Sequence, residues 1–275
     1  MALVQAKFGG PEWDGGSILI HGTNNAGKTK LAGAAAKHES QFGTVLFGSL
    51  DLEQGHSSCA DLGLDSENLG YQALYRIDSM ADLDEFLALC EKTKPRLIVI
   101  DSLKAMYDYI IAAKTGGDRP PHAGQSSSNE WPTIHLWMNN RMNRIRKAAK
   151  FVIFTCPSDT GASKIKEIET GIEQKVKITP DMQGKFAEGC VTWFNLVGYL
   201  MVDTIKKGAA TEIRRTLSFL PSNAYVTRQR MPKTLTGLIE VPEGNPGAAW
   251  KEILKQANAS YRAAYEAVSK SPAVL

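Results

Sequence analysis

The chain has 275 residues, 43% of them hydrophobic and 22% charged, enough to bury a substantial core as one large α/β domain or two small ones. Its longest apolar runs, at 97–100 and 151–156, fall far short of the ~20 residues of a membrane-spanning helix, and the N-terminus lacks a secretory pattern; a cytoplasmic protein with no membrane partner is expected. The net charge of +3 divides into −5 over residues 1–100, which hold 8 Lys/Arg and 13 Asp/Glu, and +8 over the rest, compatible with a polyanion partner or a solvated surface.

Residues 1–15 read as an N-terminal extension. Ser17-Ile-Leu-Ile-His21 is a short apolar run ending at glycine, and the Ala-rich segment from Lys28 to Ala36 follows, giving strand, loop and helix. The intervening loop is Gly22-Thr23-Asn24-Asn25-Ala26-Gly27-Lys28-Thr29. In a Gly-x-x-x-x-Gly-Lys-Thr loop, backbone N–H groups wrap phosphates and the glycines permit tight turns and close approach. Lys28 is expected to reach the β and γ phosphates, and the Thr29 hydroxyl to bind magnesium. The helix adds its positive N-terminal dipole, so residues Gly22 to Lys30 are the expected seat of ATP with Mg2+. His21, alone at a strand end, reads as a packing residue. Cys59, Cys90, Cys156 and Cys190 lie too far apart in sequence for a Cys-x-x-Cys site and read as reduced thiols.

A second strand spans Thr44 to Leu50 and runs into Asp51-Leu-Glu53-Gln-Gly55; a third is expected at 72–77. Leu83, Phe86, Leu87 and Leu89/Cys90 fall at helical spacing, with acids in the first turn, and predict a helix from Asp82 to Lys92. After Pro95 comes the strand Arg96-Leu-Ile-Val-Ile-Asp101. In a parallel sheet Asp101 emerges on the same edge as the glycine-rich loop, where a carboxylate holds magnesium. Ser102 follows it instead of Glu, so the base that activates water must come from elsewhere. Glu53 is the first candidate and Asp51 its rival; the alternative is that both are ordinary loop carboxylates.

Residues 115–131, rich in Gly, Pro and Ser, read as a mobile loop within the domain. A helix from Thr133 to Ala149 leads to the strand from Phe151 to Thr155. Arg141, Arg144, Arg146, Lys147 and Lys150 occupy that stretch without an acid, which suits either a nucleic-acid backbone or a solvated helix face. Residues 158–179 are polar and electrically neutral, long for an unstructured connection. A short helix near 182–188 and strands at 195–204, 214–220 and 224–230 follow. Pro242 to Gly247 is a turn-rich linker, and a closing helix is expected over 250–268. Branched apolar strands alternating with helices indicate a mainly parallel sheet covered on both faces, with the core at 16–241 and a linker and helix at 242–275.

The order of the glycine-rich loop, Asp51-x-Glu53 after a strand, and Leu-Ile-Val-Ile-Asp101-Ser102-Leu resembles the core of RecA-type recombinases and their short phage-encoded relatives. The resemblance implies a RecA-like P-loop ATPase core with C-terminal antiparallel strands, in which Glu53 activates water and Asp101-Ser102 supports magnesium. It continues through Phe151-Val-Ile-Phe-Thr-Cys-Pro157, similar to a strand that ends in a γ-phosphate-sensing polar residue; here Thr155, Cys156, Pro157 and Ser158 stand at that end. Residues 158–179 take the place of the loop that contacts single-stranded DNA. Arg228-Gln229-Arg230 resembles the strand of hexameric helicases that lends a basic finger to the neighbouring subunit's nucleotide. The implied protein is a homo-oligomeric ring or filament that uses ATP on single-stranded DNA in recombination, annealing or replication. Two alternatives stand beside it: a ring-forming helicase or translocase, and an ATP-dependent scaffold or regulator that binds no nucleic acid.

Overall fold

The computed structural model describes residues 10–50, 59, 73–115, 131–159, 166–167, 173–174, 177–182, 185–207 and 210–270. The strand–loop–helix beginning is present as β1 (Gly16–Gly22) and α1 (Lys28–Glu39). Then come β2 (Val45–Ser49), β3 (Ala73–Arg76), α2 (Met80–Thr93), β4 (Leu97–Asp101), α3 (Leu103–Thr115), α4 (Trp131–Ala148) and β5 (Phe151–Pro157). The remainder comprises the two-residue strands β6 (Lys166–Glu167) and β7 (Glu173–Gln174), α5 (Lys185–Cys190), β8 (Leu196–Lys207), β9 (Ala210–Ser218), β10 (Arg228–Gln229), β11 (Ile239–Glu240) and α6 (Gly247–Lys270).

The main sheet runs β11-β9-β8-β1-β5-β4-β2-β3, with β10 pairing β8 beyond the end of β9. All pairings from β8 through β1 to β3 are parallel, and β9, β10 and β11 add antiparallel pairings at the other side. One strand, β5, therefore separates β1 with its glycine-rich loop from β4 with Asp101. The expected fold is present: a parallel centre, helices on both faces and an antiparallel end.

Continuous apolar strands work here because each is buried on both sides. Leu19, Ile98, Ile100, Val152 and Phe154 face α2, α3 and α4, together with Leu83, Met106, Ile110 and Met138. Their neighbours Ile18, Ile20, Leu97, Val99 and Ile153 face α1 and α6, together with Leu31, Ala35, Trp250 and Ile253. The alternation is hidden in the sequence only because both faces are apolar. At 25 cal/mol per Å² of apolar surface, each fully buried Leu or Ile contributes about 2 kcal/mol to this double core.

Helix α2 starts where its acids predict: the Ser79 hydroxyl accepts from the Asp82 N–H at 3.1 Å while the Asp82 carboxylate accepts from Ser79 Oγ at 2.8 Å. It ends at Lys94 in the left-handed region. At the far end of α1, the fully buried Glu39 carboxylate is bound by Arg96 Nε at 2.6 Å and Trp250 Nε1 at 2.9 Å. It ties the first helix to the entry of β4 and to α6. Breaking such a pair from one side costs about 3–5 kcal/mol, because a charge is left buried without its partner.

Three expectations change. Helix α3 is an addition, as are β6, β7 and β11. The strand expected at 224–230 shrinks to Arg228–Gln229, because the preceding backbone turns to Ile178, which it meets through Ile178 N–H to Ala224 O and Val226 N–H to Ile178 O, both at 2.9 Å. The acid-free basic stretch of α4 is partly neutralised in three dimensions. Arg141 donates to Asp84 at 2.8 Å and Arg144 grips Glu91 through Nε at 2.7 Å and Nη2 at 2.9 Å, so α2 takes up two of the cations proposed for a phosphate backbone. Lys150 reaches Asp14 at 3.4 Å. The expected loop at 115–131 falls almost wholly outside the described residues. No helix among the described residues is long and apolar enough to cross a membrane.

Candidate functional site

The loop from Gly22 to Thr29 sits at the carboxyl end of β1, as its position between strand and helix requires. Gly22 is necessary because a Cβ there would stand 2.6 Å from the Leu200 carbonyl oxygen of the adjacent strand. Gly27 precedes α1 at φ 94°, a left-handed conformation that favours glycine. Asn25 shares that region at φ 60°, and Ala26 N–H closes a turn on Thr23 O at 3.3 Å. No side chain caps the start of α1. A helix start of this kind, with its positive dipole end facing the loop, favours an anion.

Lys28 folds back across the loop, donating to Gly22 O at 3.1 Å and Thr23 O at 2.7 Å. Thr29 Oγ1 donates to Asp101 Oδ2 at 2.8 Å. The other oxygen, Asp101 Oδ1, accepts from Thr155 Oγ1 on the intervening strand. Strands β1, β5 and β4 thus bring Lys28, Thr29, Thr155 and Asp101 to one point on the carboxyl edge. A hydroxyl beside a carboxylate is the hard oxygen donor set that Mg2+ takes, with phosphates and water completing the shell. Among the described residues no group of three or more His, Cys, Asp or Glu side chains could hold a metal ion.

The end of β5 resolves into distinct duties. Thr155 is the residue that reaches Asp101. Cys156 is fully buried, and burial pushes its thiol up to about 12. Ser158 instead joins His21: its Oγ lies 2.9 Å from His21 Nδ1, while His21 Nε2 lies 2.7 Å from Val226 O. A carbonyl only accepts, so Nε2 carries the proton and Nδ1 accepts from Ser158. His21 is the packing residue that the sequence indicates, and it also fastens the start of the phosphate loop to the segments that flank it. The Ser158 N–H adds a bond to Gly22 O at 2.9 Å.

Burial lowers the His21 pKa from 6.5 to about 4, partly offset by the Val226 hydrogen bond and assisted by the Lys28 charge. Between those values the unfolded chain binds a proton that the folded chain refuses. Stability should therefore fall as pH drops through this window and be unaffected by His21 above it. Urea unfolding midpoints measured across the window should show that loss, and His21→Asn should make the slope shallower; an unchanged slope would exclude His21 as its source.

Glu53 and Asp51, the two candidate bases, lie outside the described residues. The described parts of the neutral segment show its ends held side by side, with Asp159 N–H donating to Thr179 O at 3.0 Å and Ser158 bridging Pro180. Arg228 and Arg230 lie far from the loop. β10 meets β8 at Val197 and Leu196, and Arg230 N–H donates to Asn195 O at 2.7 Å, level with the start of β1. At about 3.3 Å per residue, β1 puts them roughly 20 Å from the phosphate loop of their own chain. Arg146 joins them there. Burial, and then the charge of Arg230, lower the pKa of both Arg146 and Arg228.

Residues 14–231 match the sequence profile of an AAA domain family. No curated protein matches the chain. Among solved structures, a KaiC-like protein from the hyperthermophilic archaeon Pyrococcus horikoshii OT3 is similar at TM-score 0.45 and 16% identity, over 83% of this chain and 90% of the other. The flagellar accessory protein FlaH from Methanocaldococcus jannaschii is similar at TM-score 0.44 and 12% identity, over 83% and 86%.

Proposed function

Since the chain belongs to this AAA domain family, and is a RecA-like P-loop ATPase by family and fold, we propose that it hydrolyses ATP with magnesium and couples turnover to self-assembly on single-stranded DNA. The observation that carries the ATPase part is the meeting of Lys28, Thr29 and Asp101 beneath an uncapped helix start. Lys28 exchanges its two carbonyl partners for β and γ phosphate oxygens. Thr29 and Asp101 would hold magnesium, which would supply positive charge against the phosphates. Thr155 keeps Asp101 aimed at the loop. Glu53, on the family resemblance, takes the proton of the attacking water.

Self-assembly draws support from Arg228 and Arg230. Roughly 20 Å from their own phosphate loop, they would serve a neighbour's nucleotide, as the helicase resemblance implies, in place of the alternative that they are exposed strand-end cations; a finger supplied in trans makes hydrolysis depend on assembly. The DNA part rests on the resemblance and on the described ends of the 158–179 segment, where Ser158 N–H bonds Gly22 O and Asp159 N–H bonds Thr179 O. The ring translocase shares the Arg228 and Arg230 argument. The pairing of Arg141 and Arg144 with α2 favours a second reading, an ATP-dependent regulator without nucleic acid.

Fluorescence anisotropy of a labelled single-stranded oligonucleotide, titrated with and without Mg-ATP at several salt concentrations, separates these readings. ATP-dependent binding that weakens steeply with salt supports the DNA-bound assembly. No binding at low salt, with ATP turnover intact, selects the regulator. Strand displacement in place of annealing selects the translocase.

A further inference from the structure

The outer halves of β8 and β9 leave the sheet. The pairing of β1 with β8 ends at Gly22↔Leu200, level with the phosphate loop, and that of β11 with β9 ends at Glu240↔Thr216. Past those points the two strands pair only with each other among the described residues, from Val202↔Arg215 to Lys207↔Ala210. At about 3.3 Å per residue, the stretch from Leu200 to Lys207 carries this two-stranded ribbon roughly 20 Å beyond the carboxyl edge. Its surface does not match that exposure. Leu200 and Leu217 are fully buried in the core on the α1 and α6 side. Alternate residues share a face, so the same row continues outward through Val202 and Arg215 to Ile213. Val202 is 39% exposed and Ile213 49%.

A lone pair of strands is marginal in water, and its open edges and apolar face are stabilised by cover. The position of the ribbon says what covers it. It rises beside β1 from the edge built to hold a triphosphate. The opposite, amino edge of the chain gathers Arg146, Arg228 and Arg230, and the charge that acts on the first two is the like charge of the third. A cationic edge and an edge that holds phosphates are complementary. A copy stacked with its arginines over this triphosphate fills the space into which the ribbon rises, so the ribbon runs along that copy's flank. The contact joins different surfaces of the two copies, and it therefore repeats from copy to copy. Nucleic acid is the poorer occupant, because aliphatic side chains neither pair with phosphates nor offer an aromatic face to bases.

We infer that the β8–β9 ribbon is an assembly arm, whose Val202 and Ile213 face packs against the next copy of this chain in a head-to-tail stack. This rests on the proposed self-assembly and names a surface that carries it, separate from the arginines.

Sedimentation velocity of the full chain with Mg-ATP, over a range of protein concentrations and with or without a single-stranded oligonucleotide, tests this. The parent should assemble beyond a dimer without the oligonucleotide. Val202→Glu combined with Ile213→Glu should raise the concentration of half-assembly at least ~10-fold, since apolar contact is lost and two charges meet the neighbour. Val202→Thr combined with Ile213→Thr keeps the β-branched shape that strands favour, and should shift assembly the same way by about threefold; it decides the matter if the first variant does not fold. Both should bind Mg-ATP within about twofold of the parent, because other residues build the phosphate loop. Folded variants that assemble like the parent would overturn the arm and leave self-assembly standing. A deficit seen only with the oligonucleotide present would give the ribbon to nucleic acid and overturn it too, as would a parent that stops at a dimer. A parent that binds Mg-ATP yet stays monomeric throughout would sink the self-assembly reading itself, and the arm with it.

Discussion

Replacing Lys28 with Ala should lower ATP turnover at least ~100-fold while the protein stays folded. The amine donates to two carbonyls at the mouth of the loop, Thr23 O at 2.7 Å and Gly22 O at 3.1 Å, while other contacts set the turn itself. Asn25 and Gly27 set the turn through their left-handed φ angles, and Ser158 N–H holds Gly22 from the adjacent strand. What disappears is a positive charge positioned where negative charge moves onto the leaving phosphate; such preorganised groups are worth ~10²–10³ in rate when removed singly. ATP binding should weaken by only ~10-fold, because the loop N–H groups and helix start remain. Phosphate release by the purified variant gives the first number and titration with nucleotide the second. Turnover within twofold of the parent would remove Lys28 from the chemistry and leave the site as an anion-binding turn.

Much of the architecture was readable along the chain because its informative features are local. A run such as Leu97-Ile-Val-Ile-Asp101 needs no distant partner to declare a buried strand with a polar exit, and the spacing of Leu83, Phe86, Leu87 and Cys90 declares α2. Helix α3 carries a local signal too: Leu103, Met106, Tyr107 and Ile110 repeat at helical spacing, and Ser102 Oγ accepts from Ala105 N–H at 3.3 Å. A single residue separates it from the strand before it, so no loop marks the change of period. What stayed illegible is relational. The acids that neutralise Arg141 and Arg144 lie 57 and 53 positions earlier, on another helix, and local charge counting cannot see them. Thr155 gains its meaning only because β5 inserts between β1 and β4. The Pro242–Pro246 turn reads as a linker by composition, yet the sheet carries it back against the first helix.

Asp101→Asn should abolish magnesium-dependent turnover without unfolding the chain, and its comparison with Glu53→Gln divides metal binding from water activation. Asp101 is 4% exposed and accepts from two hydroxyls, Thr29 at 2.8 Å and Thr155. An asparagine keeps one acceptor oxygen and turns the other position into a donor. The hydroxyl on that side can rotate to accept, so the buried polar cluster remains satisfied and the fold survives. The negative charge is gone, however, and a hard divalent cation loses the carboxylate on its protein side. Turnover should fall ~10²–10³-fold, and the magnesium concentration for half-maximal activity should rise at least ~10-fold, since a charged contact is being removed. Glu53→Gln, if the resemblance assigns the base correctly, should lose turnover with its magnesium requirement unchanged, because water activation and cation binding are then separate tasks. Two variants with the same shifted magnesium requirement would place Glu53 on the cation. An Asp101→Asn protein with parental turnover at limiting magnesium would instead make Asp101 a structural acceptor for Thr29 and Thr155 and nothing more.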